Sequence, residues 1–129
     1  MKGKIIYKEL SYQVMGVVFE VYNELGYGYQ EKYYEKAIAK AFDKKGIAYK
    51  RQVAYKIKFK GGFIGIQYLD FLIDDKIVLE LKKGNYFPKR NIEQVKRYLN
   101  VTNKQLAILV NFTSTNVKSL RVLNINNKS

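Results

Sequence analysis

The chain has 129 residues, a length typical of one domain, and its 47% hydrophobic content is sufficient for a buried core. It contains no Cys and no His, which excludes disulfides, zinc ribbons and every mechanism that needs an imidazole. The formal net charge of +13 predicts a polyanionic partner, with nucleic acid as the first candidate. The alternative is a Lys-rich composition that reflects an AT-biased genome.

Two amphipathic helices are predicted at the start of the chain. Residues 8–25 repeat apolar side chains at helical spacing, and Gly26 and Gly28 end this helix. Ser11 or an earlier polar residue could cap it. Residues 30–46 form the second predicted helix, which Gly46 ends.

The pattern then changes to the period of two that is typical of strands. Residues 53–59 predict a half-exposed strand, and Gly61-Gly62 predicts a tight turn. The later predicted elements are strands 63–73 and 77–82, a helix from about 89 to 100 after Pro88, an apolar strand 105–111, and a weak strand or short helix at 117–123. This order, α-α-β-β-β-α-β around a central mixed sheet, predicts a single α/β domain over residues 1–129.

The sequence predicts neither a signal peptide nor a membrane span. The first residues, MKGKIIYKELSYQ, contain no long apolar run, so we expect no signal peptide. No apolar run approaches the ~20 residues that a membrane span needs. We therefore expect a cytoplasmic location without a membrane partner, and a frayed tail over residues 124–129.

The second predicted hairpin contains the candidate chemistry. Glu80 and Lys82 share one strand face, because side chains two residues apart point the same way, and Leu81 points to the other. A three-residue loop at 74–76 would pair Asp70 with Glu80, whereas a two-residue loop would separate the two acids across the sheet. The chemistry therefore requires the three-residue loop.

Two opposed carboxylates in an apolar hairpin repel each other, and burial increases the cost of their charge. A divalent cation removes this cost, and oxygen ligands favour Mg²⁺ or Mn²⁺. The backbone carbonyl of Leu81 could supply another ligand. Lys82 could neutralise a phosphate or orient and deprotonate the attacking water. The alternative is that Asp70 is a surface acid near a turn and that Glu80 and Lys82 form an exposed pair.

Asp70 followed by Glu80-Leu81-Lys82 resembles the PD-(D/E)XK nuclease superfamily. Residues 28–34, GYQEKYY, match the G-x-x-E-x-x-Y motif of the GxxExxY family, which YLDFLIDDKIVLELK, IEQVKRYL and LAILVNF also resemble. The resemblance extends from about residue 9 to 123 and implies a restriction-endonuclease-like fold. Leu69 stands where the superfamily motif has Pro, at a position that varies within the superfamily.

The resemblance also implies roles for individual residues. Glu31 would be the additional acid of RecB-like members and a further metal ligand, Asp70 and Glu80 would bind the metal, and Lys82 would be the catalytic lysine. Gln94 and Tyr98 resemble the Q-x-x-x-Y element, which would contact the substrate or support Lys82. The basic side chains expected to form a phosphate-binding rim are Lys83, Lys89, Arg90 and Arg97.

The sequence therefore predicts a metal-dependent nuclease that hydrolyses DNA phosphodiester bonds. The small domain has few elements that could bind a substrate. A homodimer could supply further binding elements. The alternative is a non-cleaving module on the same fold that binds nucleic acid or a partner protein. A generic α/β protein with a basic composition is the third interpretation.

Overall fold

The computed structural model describes residues 5–124. Its elements, in chain order, are α1 Lys8–Leu25, α2 Glu31–Lys45, β1 Tyr49–Phe59, β2 Gly62–Ile73, β3 Ile77–Lys83, α3 Lys89–Thr102, β4 Leu106–Phe112 and β5 Val117–Leu123. The predicted element order is confirmed, and the ambiguous segment 117–123 is a strand. Of the tail that we expected to fray, residues 125–129 lie outside the described part of the chain.

The five strands form one mixed sheet in the order β1-β2-β3-β4-β5. Only β3 and β4 are parallel, because α3 crosses over between them, and the other neighbours are antiparallel. Every residue of β4 is buried, as expected for a strand that is covered on both faces. The predicted α/β domain around a central mixed sheet is therefore confirmed.

The helices cover the two faces of the sheet unequally. α1 and α2 pack on one face, where Phe71, Leu79 and Leu81 contribute to the core. α3 packs on the other face through Val95 and Leu99. No helix within residues 5–124 is both long enough and apolar enough to cross a bilayer.

The helix ends agree with the sequence at α2 and differ at α1. Gly46 ends α2 in the left-handed conformation at φ 70°, which a glycine adopts without strain. α1 begins after Tyr7, which provides no side-chain cap. The predicted cap at Ser11 is wrong, because this residue is buried inside the helix, where its hydroxyl accepts a hydrogen bond from Arg121 Nη1 at 3.0 Å.

Side chains normally alternate between the two faces of a sheet, and this alternation is interrupted at one position along β1 and β2. Phe71 belongs to the core under α1 and α2, whereas Leu69 and Leu72 both belong to the core under α3. The opposing residue of β1, Gln52, has φ 49°, a left-handed conformation that is unusual outside glycine. This irregularity lies opposite Asp70, so the β1–β2 ribbon bends there. The pairs on either side, Arg51 with Phe71 and Val53 with Leu69, keep the same register.

Candidate active site

The β2–β3 hairpin has the register that the chemistry requires. Ile73 pairs with Ile77 across the three-residue loop 74–76, so the predicted loop length is confirmed. The backbone ladder continues only as far as the pair Phe71 and Leu79. Asp70 and Glu80 would form the next pair, and the two strands separate there.

The two carboxylates accept backbone hydrogen bonds at the point where the β2–β3 ladder ends. The Asp70 N–H donates to Glu80 Oε1 at 2.6 Å, and the Leu81 N–H donates to Asp70 Oδ2 at 2.8 Å. Each acid therefore accepts a backbone donor from the opposite strand. This exchange fixes both side chains in the gap between β2 and β3, because charged acceptors make stronger hydrogen bonds than neutral ones.

Burial raises the free-energy cost of ionising Asp70 and Glu80. Glu80 is only 4% exposed, and loss of solvation followed by repulsion from Asp70 raises its pKa to about 8. Loss of solvation also raises the pKa of Asp70 to about 6, with Glu35 and Glu31 adding repulsion. Lys82 lowers both pKa values without cancelling the increase. The described part of the chain therefore leaves this site short of positive charge.

Glu80 and Lys82 lie on the α3 face of β3, and Leu81 lies on the other face. Leu81 packs into the core under α1 and α2, and Val78, two residues before Glu80, packs under α3. Lys82 is half-buried and forms no ion pair within 4.0 Å among residues 5–124. Its ammonium group is therefore not committed to a carboxylate of the described chain.

Glu31 approaches the end of β3 from the first turn of α2. Its Oε2 accepts the Lys83 N–H at 3.0 Å, and its charge contributes to the raised pKa values of both Asp70 and Glu80. The structure thus brings Glu31, Asp70, Glu80 and Lys82 within electrostatic reach of each other. Residues 5–124 nevertheless contain no group of three acidic side chains close enough to hold a metal ion as they stand.

The tyrosine of the G-x-x-E-x-x-Y motif explains how Glu31 is positioned. Tyr34 is fully buried, its ring stacks on Phe112 at 4.3 Å between centroids, and its hydroxyl donates to the Gly26 carbonyl at 2.5 Å. Gly28 has φ 117°, which favours glycine at this turn. The motif therefore ties the loop before α2 to the core and sets where α2 begins.

A second acid on α2, Glu35, was not predicted from the sequence. It is 8% exposed, and its Oε2 accepts a hydrogen bond from Arg51 Nε at 3.0 Å and forms an ion pair with Arg51 Nη2 at 2.9 Å. Gln52 Nε2 donates to its Oε1 at 2.9 Å. The signal was present in the sequence, because Glu35 lies one residue after buried Tyr34 and three before buried Ile38, on the apolar side of α2.

Asn111 is the second functional candidate that the sequence analysis missed. It is 0% exposed and pairs with Lys82 in the β3–β4 register. Its Nδ2 donates to the carbonyl oxygens of Gly84 and Tyr86, while its Oδ1 has no partner in the described chain. Asn111 therefore holds the loop after β3 and leaves a buried acceptor beside the strand that carries Lys82. The signal in the sequence was the polar Asn111 within the otherwise apolar strand β4.

The predicted α3 residues lie apart from the hydrogen bonds of the acid pair. Tyr98 is buried under the sheet, and its ring contacts Tyr55 edge to face at 6.0 Å. Gln94 is half-buried on the same helix. The predicted basic rim is exposed at all four positions, which are Lys83, Lys89, Arg90 and Arg97.

Comparison with known proteins gives one family, and the solved structures that resemble the chain include the two described below. Residues 8–122 match the PD-(D/E)XK nuclease superfamily. The protein SSO0001 is 14% identical with a TM-score of 0.48, covering 89% of this chain and 78% of its own. The alkaline exonuclease LHK-Exo from Laribacter hongkongensis is 14% identical with a TM-score of 0.49, covering 93% and 71%. No curated protein sequence matches.

Proposed function

Because the chain belongs to the PD-(D/E)XK nuclease superfamily, we propose that it is a metal-dependent nuclease that hydrolyses DNA phosphodiester bonds. The observation that supports this most is the break in the β2–β3 ladder, where Asp70 and Glu80 accept each other's strand donors in a buried gap. We further propose membership of the GxxExxY family and a RecB-like site that includes Glu31.

The donor set of this gap fits a hard divalent cation. Asp70 and Glu80 supply carboxylate oxygens whose charge is poorly compensated, as their raised pKa values indicate. The Leu81 N–H points toward Asp70, and the N–H and C=O of one strand residue point the same way, so the Leu81 carbonyl would face the same gap. Oxygen ligands of this kind favour Mg²⁺ or Mn²⁺. A bound cation would lower the pKa of a coordinated water and polarise the scissile phosphate.

We propose the following roles for the remaining residues. Lys82 shares a strand face with Glu80 and lacks an ion-pair partner in the described chain, so its ammonium group is available to contact a phosphate oxygen or the attacking water. Glu31 would complete the ligand set after releasing the Lys83 N–H. We propose that Gln94 and Tyr98 support Lys82 from α3, and that Lys83, Lys89, Arg90 and Arg97 bind the substrate backbone.

The second candidate function is a module that binds nucleic acid or a partner protein without cutting. The observation that favours it is that no three acidic groups among residues 5–124 are already close enough to hold a metal. A cytoplasmic location and a homodimer remain predictions for both functions.

Metal-dependent cleavage distinguishes the two functions. We expect the wild type to cut single-stranded, duplex or branched DNA with Mg²⁺ or Mn²⁺, and the Lys82→Ala and Glu80→Ala variants to bind DNA without cutting it. The matched control is Lys44→Ala on the last turn of α2, which removes the same charge as Lys82→Ala at an exposed position. DNA binding without metal-dependent products from the wild type on any substrate would select the binding module. Equal cleavage by all variants would reject the proposed site.

A further inference from the structure

The β1–β2 hairpin extends well past the part of the sheet that the helices cover. β1 and β2 pair from Tyr49–Ile73 to Phe59–Gly62, whereas β3 pairs with β2 only at residues 71–73. Beyond Asp70 the two strands therefore continue as a ribbon, and β2 has no described strand on its other edge. One face of the ribbon packs toward α3 through Val53 and Tyr55.

The opposite face of the ribbon is open to solvent. Because residues directly paired across two strands point to the same face, Lys56 and Ile66 share it, as do Ala54 and Tyr68. Tyr68 is 54% exposed and Ile66 42% exposed. We define the ribbon face by five of its residues, Lys56, Lys58, Phe63, Ile66 and Tyr68.

The charge of the ribbon is of one sign. Residues 49–69 contain no Asp and no Glu, and their basic side chains are Lys50, Arg51, Lys56, Lys58 and Lys60. Of these, only Arg51 forms an ion pair within the described chain. Two copies of this face could not pack together without bringing lysines against lysines, so a polyanion complements it better than a second copy.

The ribbon face also exposes aromatic and branched apolar side chains. Phe63 is 58% exposed, and Lys56 Nζ lies 6.0 Å from the centre of its ring. A surface of this kind offers aromatic rings on which unpaired bases can stack, beside cations that can contact the phosphates. A duplex presents mainly phosphates and could use only the lysines. The combination therefore favours a single strand.

The ribbon face also leads to the proposed catalytic gap. At about 3.3 Å per strand residue, Tyr68 lies about 7 Å and Ile66 about 13 Å from Asp70 along β2. Leu69 packs under α3, so Tyr68 points to the side of the sheet that carries α2 and Glu31. A strand bound on the ribbon face would reach the gap between β2 and β3 from the side of α2 and Glu31, opposite to the face on which Glu80 and Lys82 lie.

We propose that the ribbon face binds single-stranded nucleic acid and guides it to the gap between β2 and β3. The proposal deepens the nuclease function proposed above, because it names the form of the substrate. Lys56 and Lys58 contact phosphates, and Phe63 and Tyr68 stack on bases. Binding on this face needs no metal, so it can be measured separately from cleavage.

The experiment measures binding of a labelled single-stranded oligonucleotide by fluorescence anisotropy in EDTA, over a range of salt concentrations. Lys56→Ala/Lys58→Ala removes two phosphate contacts, so we expect the slope of log K against log salt to fall by about 1.4. Tyr68→Ala removes one stacking platform, so we expect about 5-fold or more weaker binding with an unchanged slope. The control Lys40→Ala/Lys44→Ala removes the same charge from exposed positions on α2 and should bind like the wild type.

Failure of this proposal is distinguishable from failure of the nuclease function. Unchanged binding by the Lys56/Lys58 and Tyr68 variants, or equal weakening by the α2 control, would overturn the ribbon proposal even if the wild type cuts DNA. A concentration-dependent dimer that the Tyr68 variant loses would assign the face to a second copy and also overturn it. Ribbon-dependent binding by a wild type that cuts nothing would support the ribbon face and reject only the nuclease function.

Discussion

Replacing Glu80 by Gln tests the energetic cost of the proposed catalytic gap. The Gln side chain has nearly the same shape, and its Oε1 can still accept the Asp70 N–H that Glu80 accepts at 2.6 Å. The substitution removes the buried charge and the repulsion with Asp70, which are the two largest causes of the raised pKa of Glu80. We therefore expect the Glu80→Gln variant to be inactive. In the absence of metal and at high pH, we expect it to be more stable than the wild type.

The magnitude follows from the pKa in the folded protein. Raising the pKa from 4.5 to about 8 corresponds to about 5 kcal/mol at a pH above 8. Below the unfolded-state pKa both states are protonated and this cost is absent. As pH rises from about 4.5 to about 8, the unfolded chain releases its proton first, so the wild type loses stability in this range. The Gln amide leaves a buried donor unpaired and costs about 1–3 kcal/mol at every pH.

Urea denaturation in EDTA at about pH 5 and about pH 9 measures both contributions. We expect Glu80→Gln to be less stable than the wild type by about 1–3 kcal/mol at the lower pH and more stable by about 2–4 kcal/mol at the higher pH. Glu24→Gln is the control, since Glu24 is exposed on α1. Mg²⁺ should stabilise the wild type and not the Glu80 variant at high pH. A stability difference that is the same at both pH values would refute the reasoning.

Three further substitutions test the contacts around the gap. Arg51→Leu leaves the buried carboxylate of Glu35 without its cation, and since Arg51 is 38% exposed, we expect about 2 kcal/mol of destabilisation in urea titrations. Asn111→Ala removes two hydrogen bonds to the loop after β3, which should cost about 1–2 kcal/mol and lower kcat more than it raises KM in cleavage assays. Tyr34→Phe removes the hydrogen bond to Gly26 and should lower the free energy of unfolding by about 1 kcal/mol, measured in the same way, with the ring stacking retained.

The order of the elements could be predicted because the periodicity of the sequence is strong. The apolar run of β4 and the helical spacing of α1 each match one structural period, and the loop 74–76 fixes the register of β2 and β3. The nature of β5 could not be predicted, since only Val122 of that strand is buried and the alternation is weak. Its pairing with β4 depends on the tertiary structure.

The surroundings of the acids could not be predicted because they depend on an irregularity. Period-two reasoning assigns Asp70 and Glu80 to directly paired positions, and it assumes that the ladder continues there. The left-handed conformation of Gln52 bends β1 opposite Asp70, and no glycine marks this position in the sequence. The clamp on Glu35 by Arg51 and Gln52 arises from the same bend, so it was hidden for the same reason.

The bend and the repulsion between the acids explain why the ladder ends at this position. A continuous sheet would satisfy the Asp70 and Leu81 N–H groups with carbonyls of neighbouring strands, and the two carboxylates would have no donors. In the observed structure the carboxylates accept those N–H groups themselves, which leaves strand carbonyls such as that of Leu81 available on the side of the gap. The protein thus exchanges two neutral ladder bonds for two that are charge-assisted when the acids are ionised, and it retains a buried, acidic opening. At high pH a cation that entered this opening would offset the repulsion between the two acids, which is the physical basis of the proposed metal binding.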